Sequence, residues 1–183
     1  MRIIAGTARS LPLKTIPGME TRPTTDRIKE TLFNILNPYL LDCQFLDLFA
    51  GSGQIGLEAV SRGASKAVFV ENNKKAAACI EENINFTKFT DNCTLLVRDA
   101  VTAIYQMEGR EPFDLVFLDP PYGKGLEADV LQALAAASLL HKDSLIVVET
   151  SLDTDLSYTQ EWGYQITREK TYKKNQHIFL RLL

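Results

Sequence analysis

Five short apolar runs rich in Val, Ile, Leu and Phe recur along this chain, at 45–49, 67–70, 94–97, 115–118 and 145–148. Between them lie stretches with helical periodicity, 54–62, 74–86, 101–107 and 126–137. Runs that are apolar throughout, rather than at every second residue, suit strands buried on both faces, the condition of a parallel sheet covered by helices. The alternation therefore predicts a doubly wound α/β domain, with Gly63 as a helix C-cap. The two ends break the rhythm. Arg2-Ile-Ile4 and Leu11-Pro-Leu-Lys14 read as a small strand pair, followed by a helix from Thr25 with Ile28, Leu32, Phe33 and Leu36 on one face. Residues 164–172 and 177–183, separated by Lys173-Lys-Asn-Gln176, read as a β-hairpin that adds antiparallel strands to one sheet edge.

A length of 183 residues, 45% hydrophobic and 23% charged, suits one globular domain and leaves no room for two large ones. Cys43, Cys79 and Cys93 are odd in number and lack the close pairing of a zinc or redox motif, so they are expected to be reduced, buried thiols, with no metal bound. No charged and apolar leader opens the sequence, and no apolar run approaches the roughly 20 residues of a membrane span, so a cytoplasmic protein is expected. The net charge of −3 hides a distribution. Residues 1–36 carry six Lys and Arg against three Asp and Glu, and residues 164–183 carry five against one, which leaves −10 for residues 37–163. Charge separated in this way can make a basic face on an acidic body, suited to a polyanion; a solvated surface with scattered lysines is the alternative.

The first apolar run leads into Asp47-Leu-Phe-Ala-Gly51-Ser-Gly53-Gln-Ile-Gly56, a G-x-G-x-x-G loop that follows a predicted strand and opens a predicted helix. Glycines there let backbone approach a ligand closely and make the tight strand-to-helix turn. Twenty positions after Gly51, Glu71 ends the next run, where a carboxylate can accept both hydroxyls of a ribose. An adenosine-type cofactor follows, although a dinucleotide uses the same geometry. Asp47 favours a different cofactor: inside the strand, four residues before the first glycine, its carboxylate can meet a cationic amine, as in a sulfonium cofactor with an amino-acid tail. Asp99, at the end of the third run, can accept from the adenine amino group or cap the next helix.

The fourth run ends in Asp119-Pro-Pro-Tyr122. Each proline fixes its own φ near −65° and lacks an N–H, and each forces the residue before it away from helix. Asp119 and Pro120 are thus held extended, and with fewer internal bonds the turn can leave the Pro120 carbonyl pointing outward. A carboxylate and a carbonyl side by side match the two hydrogens of an amino group whose nitrogen is otherwise conjugated and poorly nucleophilic. Tyr122 offers a flat face for a base, worth roughly 1–3 kcal/mol. The alternative is a rigid surface turn.

Asp119-Pro-Pro-Tyr122 together with Asp47-x-Phe-x-Gly-x-Gly53 resembles the S-adenosylmethionine-dependent amino-methyltransferases. Arg2-Ile-Ile-Ala-Gly6 and the segment from Thr21 through Arg22, Pro23 and Thr24 to Leu36 extend the likeness over nearly the whole chain. They resemble the RsmD family, bacterial methyltransferases that modify a guanine N2 of 16S rRNA. The resemblance implies a seven-stranded, mostly parallel class I methyltransferase fold over residues 1–183. Residues 1–20 would form an N-terminal hairpin extension, and 21–183 the catalytic core with its C-terminal antiparallel hairpin. It implies S-adenosylmethionine as cofactor, held by Arg22, Thr24, Asp47, Ala50, Gly51, Gly53, Glu71, Asn72, Asp99 and Ala100. Asp119 and Pro120, with Pro121 and Tyr122 completing the turn, would grip the guanine amino group, and Arg9 and Lys14 would touch RNA. The partner would be 16S rRNA in the small ribosomal subunit or an assembly intermediate, and the protein a monomer away from membranes. In the last hairpin, Lys173-Lys-Asn-Gln-His177 stands where the family pattern expects a short glycine-containing turn.

The chemistry expected is direct in-line methyl transfer to an exocyclic amine, with alignment the enzyme's main contribution and no covalent enzyme intermediate. The same turn would serve adenine N6 or a protein glutamine. A nicotinamide-dependent oxidoreductase would need a proton relay, and His141 and His177 read instead as structural or surface residues. A noncatalytic ribosome-assembly factor that keeps the fold is the third alternative.

Overall fold

Strands β1 (Gln44–Asp47), β2 (Lys66–Val70), β3 (Cys93–Leu96), β4 (Phe113–Leu118) and β5 (Leu140–Ser151) run parallel, while β6 (Tyr164–Thr171) and β7 (Asn175–Leu182) form an antiparallel hairpin. The computed structural model describes residues 1–17 and 25–183, and in it these strands make one sheet in the order β3-β2-β1-β4-β5-β7-β6. Helices α1 (Asp26–Leu40), α2 (Gln54–Ser61) and α3 (Lys74–Thr87) cover one face, and α4 (Ala100–Gln106) and α5 (Leu126–Ala136) the other.

The continuous apolar runs have a direct explanation in this layering. Phe45, Phe69, Leu115, Phe117, Leu145 and Val147 point to the layer under α1–α3, while Leu46, Val68, Val70, Val116, Leu118, Ile146 and Val148 point to the layer under α4 and α5. Along these stretches alternate side chains thus enter opposite cores, and neither face is left for polar residues. The edge strand β6 differs, with Arg168, Glu169 and Lys170 along it, a charged edge that discourages pairing with another sheet.

Element boundaries fall close to those the periodicity predicts, with two exceptions. β5 starts at Leu140, earlier than its apolar run, because Leu140 pairs with Phe113 across an irregularity in the β4–β5 register. A short 3₁₀ helix, Ser157–Trp162, has no counterpart among the elements expected from the sequence. Tyr164 lies in the core, 1% exposed, its hydroxyl donating to the Leu131 carbonyl at 2.7 Å.

The expected N-terminal strand pair is present as a short antiparallel pairing centred on one bridge, Arg2 to Pro12. Backbone bonds flank the bridge, the Ile3 amide donating to the Leu11 carbonyl at 3.0 Å, the Ser10 amide to the Ile3 carbonyl at 2.8 Å and the Leu13 amide to the Met1 carbonyl at 3.0 Å. The chain from Ile4 onward also bonds α2. The Ile4 and Ala5 amides donate to the two Glu58 oxygens at 2.9 and 3.1 Å, and the Ala8 amide donates to Ser61 Oγ at 3.0 Å. Gly6, at φ +84°, lies so close to α2 that an added Cβ would stand 1.7 Å from the Ser61 carbonyl oxygen. Glu58 is itself fully buried against Lys29 Nζ at 3.3 Å and Arg62 Nε at 2.8 Å. Burial lowers the Lys29 pKa, with Glu58 pulling against it.

Asn83, 1% exposed, completes the attachment: its Oδ1 accepts from the Lys14 amide at 2.8 Å, and its Nδ2 donates to the carbonyls of Lys14 at 3.1 Å and Ser52 at 2.9 Å. One side chain therefore ties the N-terminal segment to the loop ahead of α2. Asn83→Ala is expected to destabilise the fold by about 2 kcal/mol in a denaturant titration, since it strands buried backbone groups. Limited proteolysis should then cut within residues 1–17 first.

Candidate active site

From β1 the chain winds outward to β2 and β3, then crosses back to place β4 on the other side of β1. Ligands of open α/β sheets bind at the carboxyl ends of strands at such a switch point. Here the loop after β1 is sewn to both neighbours, the Leu48 amide donating to the Phe117 carbonyl and the Ala50 amide to the Val70 carbonyl, each at 3.0 Å. Gly56 lets α2 press onto β2, where a Cβ would stand 2.3 Å from the Phe69 ring. Gly51, at φ +56°, has nothing within 4 Å of an added Cβ and faces open space. Gly53 and Ala50 are buried beside it.

Glu71, half-buried just after β2, is fixed across this loop, accepting from the Gly51 amide at Oε2 and the Asn73 amide at Oε1, both at 2.8 Å. Asn72 beside it is exposed, and Asn73 caps α3. Asp99 caps α4, accepting from the Thr102 amide at 2.9 Å; hydrogen bonding from Thr102 holds its carboxyl below the usual range. Its side chain remains exposed, and Ala100 is buried behind it.

Asp47 is 1% exposed, and neither carboxylate oxygen has a hydrogen-bond partner among the described residues. Burial pushes its pKa up to about 7; the charge of Glu71 adds to the rise, while the nearby Phe49 and Gly56 amides oppose it. A buried carboxylate without a donor lacks a positive partner, and an ammonium group beside the glycine loop would supply one. An unpartnered buried carboxylate near the open backbone at Gly51 therefore fits S-adenosylmethionine, whose amino-acid tail carries an ammonium group.

At the end of β4, Asp119 is half-buried, Pro120 buried, and Pro121 and Tyr122 exposed. Among the described residues neither the Asp119 carboxylate nor the Pro120 carbonyl accepts a hydrogen bond, so both acceptors remain available. Burial raises the Asp119 pKa well above the usual range, and the charges of Glu149 and Asp47 raise it further. Three carboxylates thus converge at the ends of β1, β4 and β5.

Glu149, which the sequence pattern did not single out, has donors of its own: Asn175 Nδ2 at 2.6 Å and His177 Nε2 at 3.0 Å. His177 is fully buried, and its Nδ1 lies 3.2 Å from the Tyr172 hydroxyl. The arrangement fits a ring donating to Glu149 and accepting from Tyr172. Burial and the Glu149 charge push the Tyr172 pKa up to about 12. A signal for Glu149 was present in the sequence, because Glu71, Asp119 and Glu149 each directly follow an apolar run.

Of the other residues that the sequence nominated, Arg9 is exposed, and Lys14 is exposed and paired with Glu82. Arg22, Pro23 and Thr24 lie outside the described residues. His141 pairs with Asp114 at 2.8 Å near the opposite end of the sheet. No described helix is long and apolar enough to cross a membrane.

Comparison with known proteins agrees with this geometry. The family model described as conserved hypothetical protein 95 matches residues 1–181. Ribosomal RNA small subunit methyltransferase D of Haemophilus influenzae is 37% identical over 172 residues, covering 93% of this chain and 88% of the relative. The protein of the same name from Escherichia coli K12 is also 37% identical over 172 residues, covering 93% and 84%. A solved hypothetical protein of Thermus thermophilus superposes with a TM-score of 0.84 at 29% identity, over 100% of this chain and 99% of that one. With its fold, its glycine loop and a match spanning nearly its whole length, the chain belongs to the conserved hypothetical protein 95 family, the RsmD family of rRNA methyltransferases.

Proposed function

We propose that the chain methylates the exocyclic N2 amine of a guanine in 16S rRNA, the guanine(966)-N2 type of reaction, using S-adenosylmethionine. The observation supporting it most directly is the pair of available acceptors, Asp119 carboxylate and Pro120 carbonyl, at the end of β4 and next in the sheet to the glycine loop after β1. Asp47, Ala50, Gly51 and Gly53 would hold the methionine part of the cofactor, Glu71 and Asn72 the ribose side, and Asp99 and Ala100 the adenine. Bound there, S-adenosylmethionine supplies a methyl group already activated on a sulfonium sulfur.

The work left to the chain is to hold and orient the amine. Accepting both N–H hydrogens, Asp119 and Pro120 favour a pyramidal nitrogen whose lone pair points away from the guanine ring. Asp119 then takes the proton that the amine sheds on gaining its fourth bond, for which a raised pKa is suited. Exposed Tyr122 gives the base, swung out of its RNA, a surface to stack on, offsetting an unstacking cost of a few kcal/mol.

The test is nucleoside mass spectrometry of 16S rRNA incubated with the protein and S-adenosylmethionine, supplied naked and as small subunits. N2-methylguanosine is expected. N6-methyladenosine instead, or label appearing only in a protein, would overturn the guanine assignment while leaving a methyltransferase.

A further inference from the structure

A groove of about 550 Å³ lies between the start of α1 and the tip of the β6–β7 hairpin, with Thr25, Arg27, Lys170, Thr171, Tyr172 and Lys173 in its walls. Its place follows from topology. α1 ends at Leu40, just before β1 begins, so it runs antiparallel to the parallel strands and opens its N-terminal amides at their carboxyl ends. The hairpin tip reaches the same end, because Gln176 pairs with both Thr150 near the end of β5 and Thr171 at the end of β6. Tyr172 links groove and acceptor turn: its hydroxyl bonds His177, His177 bonds Glu149, and Glu149 lies near enough to Asp119 to raise its pKa.

The electrostatics of the two neighbouring regions are opposite. The acceptor turn is surrounded by Asp47, Asp119 and Glu149, which suits the uncharged amino edge of a base and repels a phosphate. The groove presents Arg27, Lys170 and Lys173, and none of the three forms an ion pair among the described residues. Asp26, the acid nearest to Arg27 along α1, is taken up by Arg2 at 3.0 Å. Three uncommitted cations, hydroxyls from Thr25 and Thr171, and the positive end of a 15-residue helix line one concavity. Its volume lies within the range of ligand clefts, larger than one small ion requires.

We propose that this groove is a phosphodiester subsite, holding the RNA backbone beside the nucleotide whose base enters the acceptor turn. It gives the C-terminal hairpin a substrate role through lysines, where the family pattern expects a glycine turn. The proposal rests on the RNA-substrate reading above, though not on which base or atom is methylated.

The test uses the full chain and a 20-nucleotide single-stranded RNA, with affinity followed against salt by fluorescence anisotropy. Arg27→Glu with Lys173→Glu is expected to weaken RNA binding at least tenfold. The slope of log K against log salt should become shallower by roughly 0.7 for each phosphate no longer neutralised. Arg27→Lys with Lys173→Arg should keep the slope. S-adenosylhomocysteine affinity, read by calorimetry, should be unchanged in both, which also shows that the variants fold. Lys142→Glu, at the opposite end of the sheet, makes an equal charge change per site and should leave RNA binding as it is. If the double reversal binds RNA with the slope of the Lys142→Glu control, the subsite does not exist. Polyglutamate binding as tightly as RNA and losing affinity in the same variants would mark a site for acidic protein and overturn the proposal. Groove-dependent RNA binding without N2-methylguanosine would sink the guanine reading alone.

Discussion

Asp119→Ala is expected to lower kcat for methyl transfer by roughly 10²–10³-fold while leaving S-adenosylhomocysteine affinity within a few-fold of the parent. The substitution removes one of two acceptors for the amine hydrogens and the group that takes the released proton, yet it touches none of the glycine-loop contacts. Asp119→Asn separates these roles: its amide oxygen can still accept a hydrogen bond but cannot take a proton at neutral pH. Recovery in the asparagine variant would assign the loss to orientation; equal loss in both would assign it to proton acceptance. Near-normal turnover in Asp119→Ala would refute the two-acceptor model.

The same carboxylate sets a pH dependence. Its anionic form is the active one and its pKa is raised, so activity is lost as pH falls through a window displaced above the usual carboxylate range. Burial is the first cause and Glu149 the second, so Glu149→Gln should move that acid limb to lower pH, as read from kcat/KM profiles.

Asp47→Asn should have the opposite balance, a more stable protein that binds cofactor poorly. The unfolded chain releases the Asp47 proton near pH 3.8, whereas the folded chain holds it up to about pH 7. Between those values the native state binds more protons than the unfolded one, so the contribution of Asp47 to stability falls as pH rises through the window and is most unfavourable above it. A difference of about three pKa units corresponds to about 4 kcal/mol. Asparagine carries no charge to desolvate, so the ligand-free variant should unfold at higher denaturant concentration at pH 8 than the parent, with the advantage vanishing near pH 4. Cofactor affinity should fall at least tenfold, because the partner for the ammonium group is gone. A buried charge kept at a cost to folding is the stability–function trade expected of a binding site. An Asp47→Asn protein no more stable than the parent at pH 8, still binding S-adenosylhomocysteine normally, would remove the ammonium-partner role.

Most of the sheet was legible because its strands are buried on both sides. Phe45 and Leu46 enter different cores, as do Val116 and Phe117, and that demand writes an unbroken apolar run into the sequence. Asp119 was legible because it ends a run beside two prolines, Asp47 because it lies four residues before the first glycine of the loop, and Glu71 because it ends a run twenty positions after Gly51. Glu149 ends a run too, but Thr150 and Ser151 continue the strand, so no turn residue drew attention to it. His177 read as structural or surface because its partners, Glu149 and Tyr172, meet only through the β5–β7 pairing and the hairpin tip, neither of which a local pattern encodes. The N-terminal pair was legible too, but what anchors it was not. Glu58 and Ser61, which accept from the Ile4 and Ala8 amides, lie more than fifty positions away in the chain, beyond any local pattern.

The sheet order also bears on synthesis in the cell. β7 is the last of the seven strands to leave the ribosome, yet it lies between β5 and β6, not at an edge. Until residue 182 has emerged, β5 has no neighbour on its outer side, β6 has nothing to join, and Glu149 waits for both of its donors. A nascent chain is therefore expected to be inactive until this strand has been made. Truncation ahead of residue 175 would split the molecule internally rather than trim its margin.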